Sequence, residues 1–280
     1  MQSNHPNKAG HPSVIADAPE TRLSVRSLLQ AGLAHASTSS AWASISAATR
    51  IVLPATDGPM REVITGRNIR ATGIYPSPKA GRLVAFESMN ERAVFLHSEV
   101  DTGVVRYLSQ PCRFEFVLGG RMRSYVPDLA RILDDGTLEI VEVKGVPSAL
   151  SDPDYRDKLD HVAAACRMIG WSFRVIFAEP LRARTVRNLT VAQIQHYRLA
   201  AFGASDVFKV QERLAKAPGG APLGDLASAI GDGSGGLGKV CAMMVGRHLA
   251  IDLDAPMTPA SNVKPLSAQQ ADTPRMEGGL

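Results

Sequence analysis

A short strand pattern near the middle of the chain constrains the fold most. Residues 138 to 143 alternate and are rich in β-branched side chains, which predicts a strand, and the Asp-Asp-Gly run at 134 to 136 is typical of a hairpin turn. Residues two apart on a strand point to the same face, so Glu142 and Lys144 are expected to emerge together where the strand ends. The pattern thus places a carboxylate and an ammonium group together at the end of a strand.

An upstream aspartate completes a possible catalytic cluster. Pro127-Asp128 is separated from Glu142 by thirteen residues, which places Asp128 on the strand next to Glu142 in a hairpin. Mg²⁺ prefers oxygen ligands and needs only one or two carboxylates, and it lowers the pKa of a bound water. A lysine ammonium beside it stabilises developing negative charge. The alternative is a solvated hairpin with a surface Glu and Lys, because this spacing also arises by chance.

The segment before this hairpin predicts further elements in a fixed order. Residues 86 to 99 are predicted to form an amphipathic helix, and Glu87 and Glu91 lie one turn apart on it. Three predicted strands follow, at residues 104 to 108, 113 to 118 and 121 to 126, with a Gly-Gly turn between the last two. Another helix is predicted after Lys144, where Asp152 can cap it, Pro153 lies in its first turn and Tyr155 lies on its buried face. The order is thus a helix with an acid, strands, Pro-Asp, a strand with Glu-x-Lys, and then another helix. This order is similar to the core of the PD-(D/E)xK nuclease superfamily.

Five short segments together resemble the TnsA endonucleases of heteromeric transposases. They are Tyr75-Pro76-Ser77-Pro78-Lys79, Phe86-Glu87-Ser88 followed by Glu91, Gln110-Pro111, Tyr125-Val126-Pro127-Asp128 and Val141-Glu142-Val143-Lys144. The resemblance covers roughly residues 60 to 255. It implies an α/β fold with a restriction-endonuclease-like mixed sheet flanked by helices, and a small C-terminal winged-helix-like helical domain.

The resemblance also implies a set of site residues. The expected catalytic residues are Glu91, Asp128, Glu142 and Lys144, and the expected metal ligands are Glu91, Asp128, Glu142 and the backbone carbonyl of Val143. The implied cofactor is Mg²⁺, for which Mn²⁺ can substitute. Asn90 stands where the family often has leucine, so Glu87 is the alternative to Glu91 as the helix-borne acid. The residues expected to contact DNA are Lys79, Arg82 and Gln110.

The implied function is hydrolysis of the non-transferred strand at the 5′ ends of a transposon in a cut-and-paste transposase. The implied partners are double-stranded DNA at the transposon ends, the DDE-type transposase TnsB and the AAA+ ATPase regulator TnsC. The expected location is the bacterial cytoplasm, with nucleoid association during activity. The alternatives are a stand-alone restriction or repair nuclease of the same superfamily and a non-catalytic DNA-binding scaffold with a nuclease-like fold.

Composition excludes some classes and leaves others open. The chain has 280 residues, a formal net charge of +4 and three cysteines without a CxxC pair, which predicts reduced thiols and no zinc site. No run of 18 apolar residues occurs and the first residues lack a secretory pattern, so no membrane span or export is expected. The mild basic excess permits a nucleic-acid partner without requiring one.

Shifts in composition predict four regions. They are an N-terminal arm at 1–60, a nuclease domain at 61–180, a winged-helix-like domain at 181–255 and a disordered tail at 256–280. A short helix at residues 23 to 33 is the alternative to a mobile arm. Residues 231 to 238 are glycine-rich and predict a loop before a helix at 238 to 247, which has only two cations and two central methionines. That composition favours packing and protein contact over major-groove reading.

Overall fold

The computed structural model describes residues 25–37, 49–55, 58–60 and 71–266 of the chain. Their strands are β1 (Thr49–Val52), β2 (Gly73–Ser77), β3 (Arg82–Phe86), β4 (Val104–Ser109), β5 (Arg113–Leu118), β6 (Arg121–Tyr125), β7 (Leu129–Leu133), β8 (Leu138–Lys144), β9 (Ser172–Phe177), β10 (Ala221–Pro222), β11 (Leu249–Ile251) and β12 (Asn262–Pro265). Their helices are α1 (Val25–Ala36), α2 (Met89–Val100), α3 (Pro153–Met168), α4 (Ala178–Ala183), α5 (Thr185–His196), α6 (Ala204–Ala215), α7 (Leu223–Ile230) and α8 (Gly233–Val245). The chain is therefore a mixed α/β protein. Within the described ranges, no helix is long and apolar enough to cross a bilayer.

A four-stranded sheet in the order β4-β7-β8-β9 forms the centre of the larger part. Its pairs are antiparallel except β8 with β9, which are parallel and joined through α3. Strand β8 is buried along six of its seven residues because both faces of the sheet are covered. One face packs on α2, with Phe95 against Leu129 and Val141 in one core cluster. The other face packs on α1, α3 and the β1-β5-β6 sheet, with Ile140 at its centre.

Most predicted elements of this part are confirmed. The Asp-Asp-Gly turn joins β7 to β8, and Gly136 has the positive φ of 83° that such a turn needs. Helix α3 begins where expected, because the Asp152 side chain accepts a hydrogen bond from the backbone of Asp154 and Pro153 occupies the first turn. The predicted helix at 86 to 99 was partly wrong. Phe86 ends strand β3, and the helix starts at Met89 with Ser88 as its N-cap.

The predicted boundaries at the two ends were also wrong. Residues 25 to 36 form helix α1, whose Leu29 is fully buried in the main core, and residues 49 to 52 pair with β5. These two segments therefore belong to the core and are not part of an arm. At the other end, β12 pairs with β10 and β11 and buries Val263 completely, so the ordered part passes residue 255. The rest of the predicted arm at 1–24 and 38–48 and of the tail at 267–280 lies outside the described residues.

The glycine-rich segment is a helix instead of the predicted loop. Helix α8 begins at Gly233 and packs closely on α7. A Cβ on Gly236 would lie 2.2 Å from the carbonyl oxygen of Ala227, and one on Gly238 would lie 3.1 Å from the ring of Tyr197. The glycines therefore permit two helices to approach, although glycine is a poor helix former. Together with the small β10-β12-β11 sheet, helices α5 to α8 form a C-terminal unit that packs on α2 through Leu96 and Val100.

Candidate functional site

Asp128 and Glu142 lie on neighbouring strands at one end of the central sheet. Asp128 immediately precedes β7, whose first residue, Leu129, is paired with Val141 of β8. One carboxylate oxygen of Asp128 accepts a hydrogen bond of 2.7 Å from the backbone nitrogen of Val143, which fixes the side chain against the end of β8. The sheet register therefore brings the Pro-Asp and Glu-x-Lys segments together, as the sequence predicted.

Glu142 is buried and tightly held by three donors. Its Oε2 atom accepts a hydrogen bond from the hydroxyl of Tyr125, and its Oε1 atom accepts one from the hydroxyl of Tyr155. The ammonium of Lys144 lies 2.5 Å from the same Oε1 atom. Burial raises the pKa of both tyrosines, and the neighbouring Glu142 raises it further, so both hydroxyls stay protonated and act as donors.

Lys144 is positioned by two different contacts. Its side chain is about a quarter exposed (25%), and its ammonium faces both Glu142 and the ring of Tyr155, whose centroid is 4.7 Å away. A cation over an aromatic face is attracted to the ring's negative quadrupole. Lys144 also borders the open cleft described below, so its charge is available to a bound anion.

Glu91 reaches the same end of the sheet from helix α2. Its carboxylate accepts hydrogen bonds of 2.8 Å from the Ser88 hydroxyl and from the Glu87 backbone nitrogen, while the Ser88 oxygen accepts one from the Glu91 backbone. The arrangement resembles a capping box, except that the Glu91 carboxylate accepts from the Glu87 backbone, one residue before the N-cap Ser88, and it satisfies donors at the start of the helix. The acid was predicted as a metal ligand, and the structure shows that it also closes the first turn of its own helix.

Glu87, the alternative acid, is engaged differently. Its Oε1 atom accepts a hydrogen bond of 2.8 Å from the amide of Gln110. The charge of Glu91, in contrast, is among the causes that raise the pKa of Asp128. Both acids border the cleft, and the electrostatic coupling to Asp128 favours Glu91 as the helix-borne member of the site.

The acids at this site repel one another. The pKa of Asp128 is raised to about 8, mainly by burial and further by the charges of Glu142 and Glu91. The hydrogen bond from the Val143 backbone and the charge of Lys144 act in the opposite direction. Burial also raises the pKa of Glu91, with smaller contributions from Glu87 and Glu142. Clustered acids with raised pKa values are typical of functional sites, because a bound cation or a reaction step makes use of them.

These side chains surround one open cleft of about 750 Å³. Its wall includes Glu87, Ser88, Glu91, Asp128, Val143, Lys144, Asp152 and Tyr155. We call it the carboxylate cleft, together with Glu142, which lies just behind Lys144 and Tyr155. It brings together the four predicted catalytic residues and Val143. Helix α3 contributes a further wall that the sequence did not assign to the site.

The donors of the carboxylate cleft fit a divalent cation in their chemistry. Asp128 and Glu91 supply hard oxygen atoms beside each other, and their mutual repulsion would be relieved by positive charge. In the described part of the chain, no group of three or more His, Cys, Asp or Glu side chains is arranged to hold a metal. Mg²⁺ keeps several waters and needs only one or two carboxylates, so a two-carboxylate site is consistent with both observations.

Two of the three predicted DNA contacts are internal. Lys79 is 7% exposed, and its ammonium donates hydrogen bonds to the carbonyls of Ser98 and Asp101. Gln110 is 4% exposed and has a positive φ of 45°, and its backbone nitrogen donates to the carbonyl of Asp128. These placements disagree with phosphate contacts, since neither polar end is presented at the surface. Arg82, at the start of β3, is exposed, so its contact with DNA stays a prediction.

Gln110 has a positioning role at the site instead. Its amide nitrogen donates to Glu87 and its backbone nitrogen donates to Asp128, while its own Oε1 atom is buried and has no hydrogen-bond partner among the described residues. A non-glycine residue in the left-handed region costs about 1 kcal/mol or more, and such strain is concentrated at functional sites. The Gln110-Pro111 pair is one of the segments that carry the resemblance, but the sequence did not predict the backbone conformation of Gln110.

The sequence did not predict the roles of two tyrosines. Tyr155 was assigned to the buried face of α3 and Tyr125 to the Pro-Asp segment, yet both hydroxyls bind Glu142. A signal was present in the spacing, because Tyr125 stands three residues before Asp128, and Tyr155 lies in the first turn of the helix that follows Lys144. A buried tyrosine hydroxyl needs a partner, so tyrosines flanking a catalytic segment are candidates to hold its acids.

Both cations of the predicted helix at 238 to 247 are bonded to other residues of the chain. Lys239 donates to the carboxylate of Asp206 at 3.1 Å, and Arg247 donates to the carbonyl of Thr102 at 2.8 Å. The central methionines of α8, Met243 and Met244, are almost completely buried. The burial of both methionines confirms that this helix packs against the rest of the chain, and its preference for protein contact over major-groove reading stays a prediction.

Comparison with known proteins adds no family to this description. A scan against protein-family models finds no match, and a search of curated proteins finds none either. The geometry of the carboxylate cleft and the sequence resemblance are therefore what support a function for this chain.

Proposed function

We propose that this chain is a Mg²⁺-dependent DNA endonuclease of the TnsA type, which cuts the non-transferred strand at the 5′ ends of a transposon. The observation that carries the proposal is the convergence of Glu91, Asp128, Glu142 and Lys144 at one end of a mixed sheet. An open cleft of about 750 Å³ gives a phosphodiester backbone access to them. A restriction-endonuclease-like arrangement of the sheet and helices is part of this proposal.

The residues of the cleft have distinct roles in the proposed reaction. Asp128 and Glu91 would hold the Mg²⁺ ion together with the Val143 carbonyl, and Glu142 would join them only after releasing one of the hydroxyls that donate hydrogen bonds to its oxygens. The bound ion supplies an activated water and neutralises charge on the attacked phosphate. Lys144 presents a cation at the cleft and stabilises the charge that develops on the phosphate oxygens.

The C-terminal unit is proposed to bind protein partners. Its helices and small three-stranded sheet are compatible with a winged-helix-like module. Lys239 of α8 and Arg247, which follows the helix, are bonded to other residues of the chain, which supports docking of a DDE-type transposase such as TnsB over groove reading. A AAA+ regulator such as TnsC would control the assembled complex. Complete excision requires two active sites, because a transposase that cuts only the 3′ ends leaves the 5′ strands attached.

The test is replacement of Asp128 in the purified protein and in the assembled system. Asp128→Ala is expected to abolish Mg²⁺- or Mn²⁺-dependent cleavage and to weaken Mn²⁺ binding measured by calorimetry, since it removes an oxygen ligand without breaking the core. In cells, the same variant is expected to shift insertion products from simple insertions to cointegrates, counted by long-read sequencing. Asp154→Ala is the matched control, because Asp154 is a nearby acid with a side chain that is 84% exposed.

Two results would contradict this assignment. Unchanged Mn²⁺ affinity in Asp128→Ala would remove Asp128 from the metal site. Simple insertions at the wild-type proportion in the Asp128→Ala strain would exclude a 5′-strand nuclease role. Efficient cleavage of plain duplex DNA by the purified protein alone would instead favour a stand-alone restriction or repair nuclease.

One observation favours a second candidate, a non-catalytic DNA-binding scaffold with a nuclease-like fold. Both oxygens of Glu142 already accept hydrogen bonds, and the carboxylate of Glu91 caps its own helix. A metal ion would have to compete with these donors. Absence of measurable Mn²⁺ binding by the wild-type protein would support the scaffold over the nuclease.

A further inference from the structure

Tyr155 contacts both members of the Glu-x-Lys pair at once. Its hydroxyl donates a hydrogen bond to Oε1 of Glu142, and the centroid of its ring lies 4.7 Å from the ammonium of Lys144. Lys144 in turn lies 2.5 Å from the same Oε1 atom. We propose that Tyr155 is a positioning residue that sets Glu142 with its hydroxyl and Lys144 with its ring face. This inference rests on the proposed nuclease function.

The need for such a residue follows from the chemistry of the pair. A lysine ammonium stands on a flexible four-carbon stem and has no preferred direction of its own. Glu142 could draw Lys144 into a closed ion pair, away from the cleft. The ring of Tyr155 offers a second attractive surface at the cleft wall, so the ammonium is shared between the carboxylate and the ring. Tyr155 thereby keeps the charge of Lys144 beside the space where a phosphate would bind.

The rest of the site supports a division of labour between the two tyrosines. Tyr125 is 6% exposed and holds the other oxygen of Glu142, and Lys144 is not among its ring contacts. Tyr155 is half-buried and borders the cleft. Tyr125 thus fixes Glu142 from the core side, whereas Tyr155 fixes Glu142 and Lys144 from the side that faces the cleft.

The two contacts of Tyr155 can be separated by substitution. Tyr155→Phe removes the hydroxyl and keeps the ring, while Tyr155→Leu removes both. Lys158 is a matched control, because its ammonium also lies over the Tyr155 ring, at 4.8 Å, and it follows Tyr155 by three residues on the same helix. Lys158→Met removes a similar cation from the same ring without touching Glu142 or Lys144.

The first measurement does not depend on activity. Lysines of the full chain are labelled by reductive methylation with ¹³C, and the Lys144 and Lys158 signals are assigned with Lys144→Arg and Lys158→Arg. A group above an aromatic face is displaced upfield by the ring current, so the Lys144 signal of the wild type is expected to be displaced. Tyr155→Phe should keep this displacement and Tyr155→Leu should remove it, with circular dichroism confirming that both variants fold. A Lys144 signal at the position of exposed lysines in the wild type overturns the proposal.

The second measurement is single-turnover cleavage of an end-containing duplex in the assembled system. Removing a residue that orients a catalytic group costs about tenfold to 100-fold, so we expect about tenfold for Tyr155→Phe and about 100-fold for Tyr155→Leu. DNA affinity and the rate of Lys158→Met should match the wild type. Wild-type cleavage rates in Tyr155→Leu overturn the positioning role. If the wild type does not cleave, the nuclease proposal fails, and the lysine signals alone decide whether Tyr155 positions Lys144.

Discussion

Two of the regions in which the described part of the chain buries acids follow opposite rules. In the first, which we call the Glu99 network, fully buried Glu99 accepts hydrogen bonds from Ser77, from the backbone of Lys79 and from Tyr107. In the carboxylate cleft, Asp128 lies beside two other acids whose charges raise its pKa. In the Glu99 network, hydrogen-bond donors surround the acid, whereas in the carboxylate cleft neighbouring acids repel one another.

This difference separates a structural site from the proposed functional one. The Glu99 network ties the β2-β3 hairpin to helix α2 and is closed to solvent. The carboxylate cleft is open, and burial together with the charges of Glu142 and Glu91 disfavours the ionised form of Asp128. Proteins tolerate such local conflict mainly where function requires it. Burial of an acid is therefore not informative by itself, whereas its balance of donors and neighbouring charges is.

The largest expected effect breaks the Glu99 network. Glu99→Gln places an amide nitrogen among groups that donate hydrogen bonds, and we expect it to lower the free energy of unfolding by about 3 kcal/mol, as for lost bonds to a buried charged group. Urea denaturation measures this. Glu115→Gln is the control, because Glu115 is a partly exposed acid paired with Arg113, for which about 0.5 kcal/mol is expected. Equal effects of the two variants would remove the distinction between the regions.

The next prediction concerns the pH dependence of stability in the carboxylate cleft. The pKa of Asp128 is about 8 in the folded protein against 3.8 in the reference state, so the native state binds the extra proton between these values. The contribution of Asp128 to the free energy of unfolding is therefore fully present below about pH 4, and it is lost as pH rises toward 8. Between pH 5 and pH 8 we expect Asp128→Asn to gain about 2 kcal/mol relative to wild type.

The measurement is urea denaturation of both proteins in a chelator, so that no cation relieves the repulsion. The wild type should lose stability between pH 5 and pH 8 more steeply than Asp128→Asn. Parallel pH profiles for the two proteins would show that Asp128 is not strained by its neighbours, and the contrast with the Glu99 network would disappear.

The sequence predicted the elements of the site better than their conflicts. Strand periodicity, the Asp-Asp-Gly turn and the Asp152-Pro153 helix start are local signals, and each was confirmed. The Pro-Asp and Glu-x-Lys segments were expected to meet, because a hairpin fixes which residues of its two strands are neighbours. Local signals therefore sufficed for most of the central sheet and for the candidate acids.

Long-range packing decided what the sequence did not predict. The sequence favoured a mobile arm over helix α1, because the helix is stabilised by burying Leu29 in a core formed by residues far along the chain. The glycines of α8 indicated a loop, since their contact with Ala227 and Tyr197 cannot be seen in a local pattern. Tyr155 was assigned to a buried stripe for the same reason. Its partner, Glu142, lies on another element, and only the fold places its hydroxyl there.

The smallest expected effect tests the exposed edge of the hairpin that the Glu99 network holds. Lys79 and Arg82 were both predicted to contact DNA, yet Lys79 is buried and its ammonium is bound by two carbonyls, while Arg82 is exposed. A surface cation that meets one phosphate contributes little affinity and a salt-dependence slope of about 0.9. We therefore expect Arg82→Ala to weaken duplex binding about two- to threefold and to reduce the salt slope by about one unit.

Lys79→Met should leave the affinity and the salt slope unchanged once melting curves confirm that the variant folds. Fluorescence anisotropy of a labelled duplex at several salt concentrations measures both quantities. The reverse ranking would mean that the hairpin opens on DNA and releases Lys79, which would turn the Glu99 network from a fixed support into a part of the binding surface.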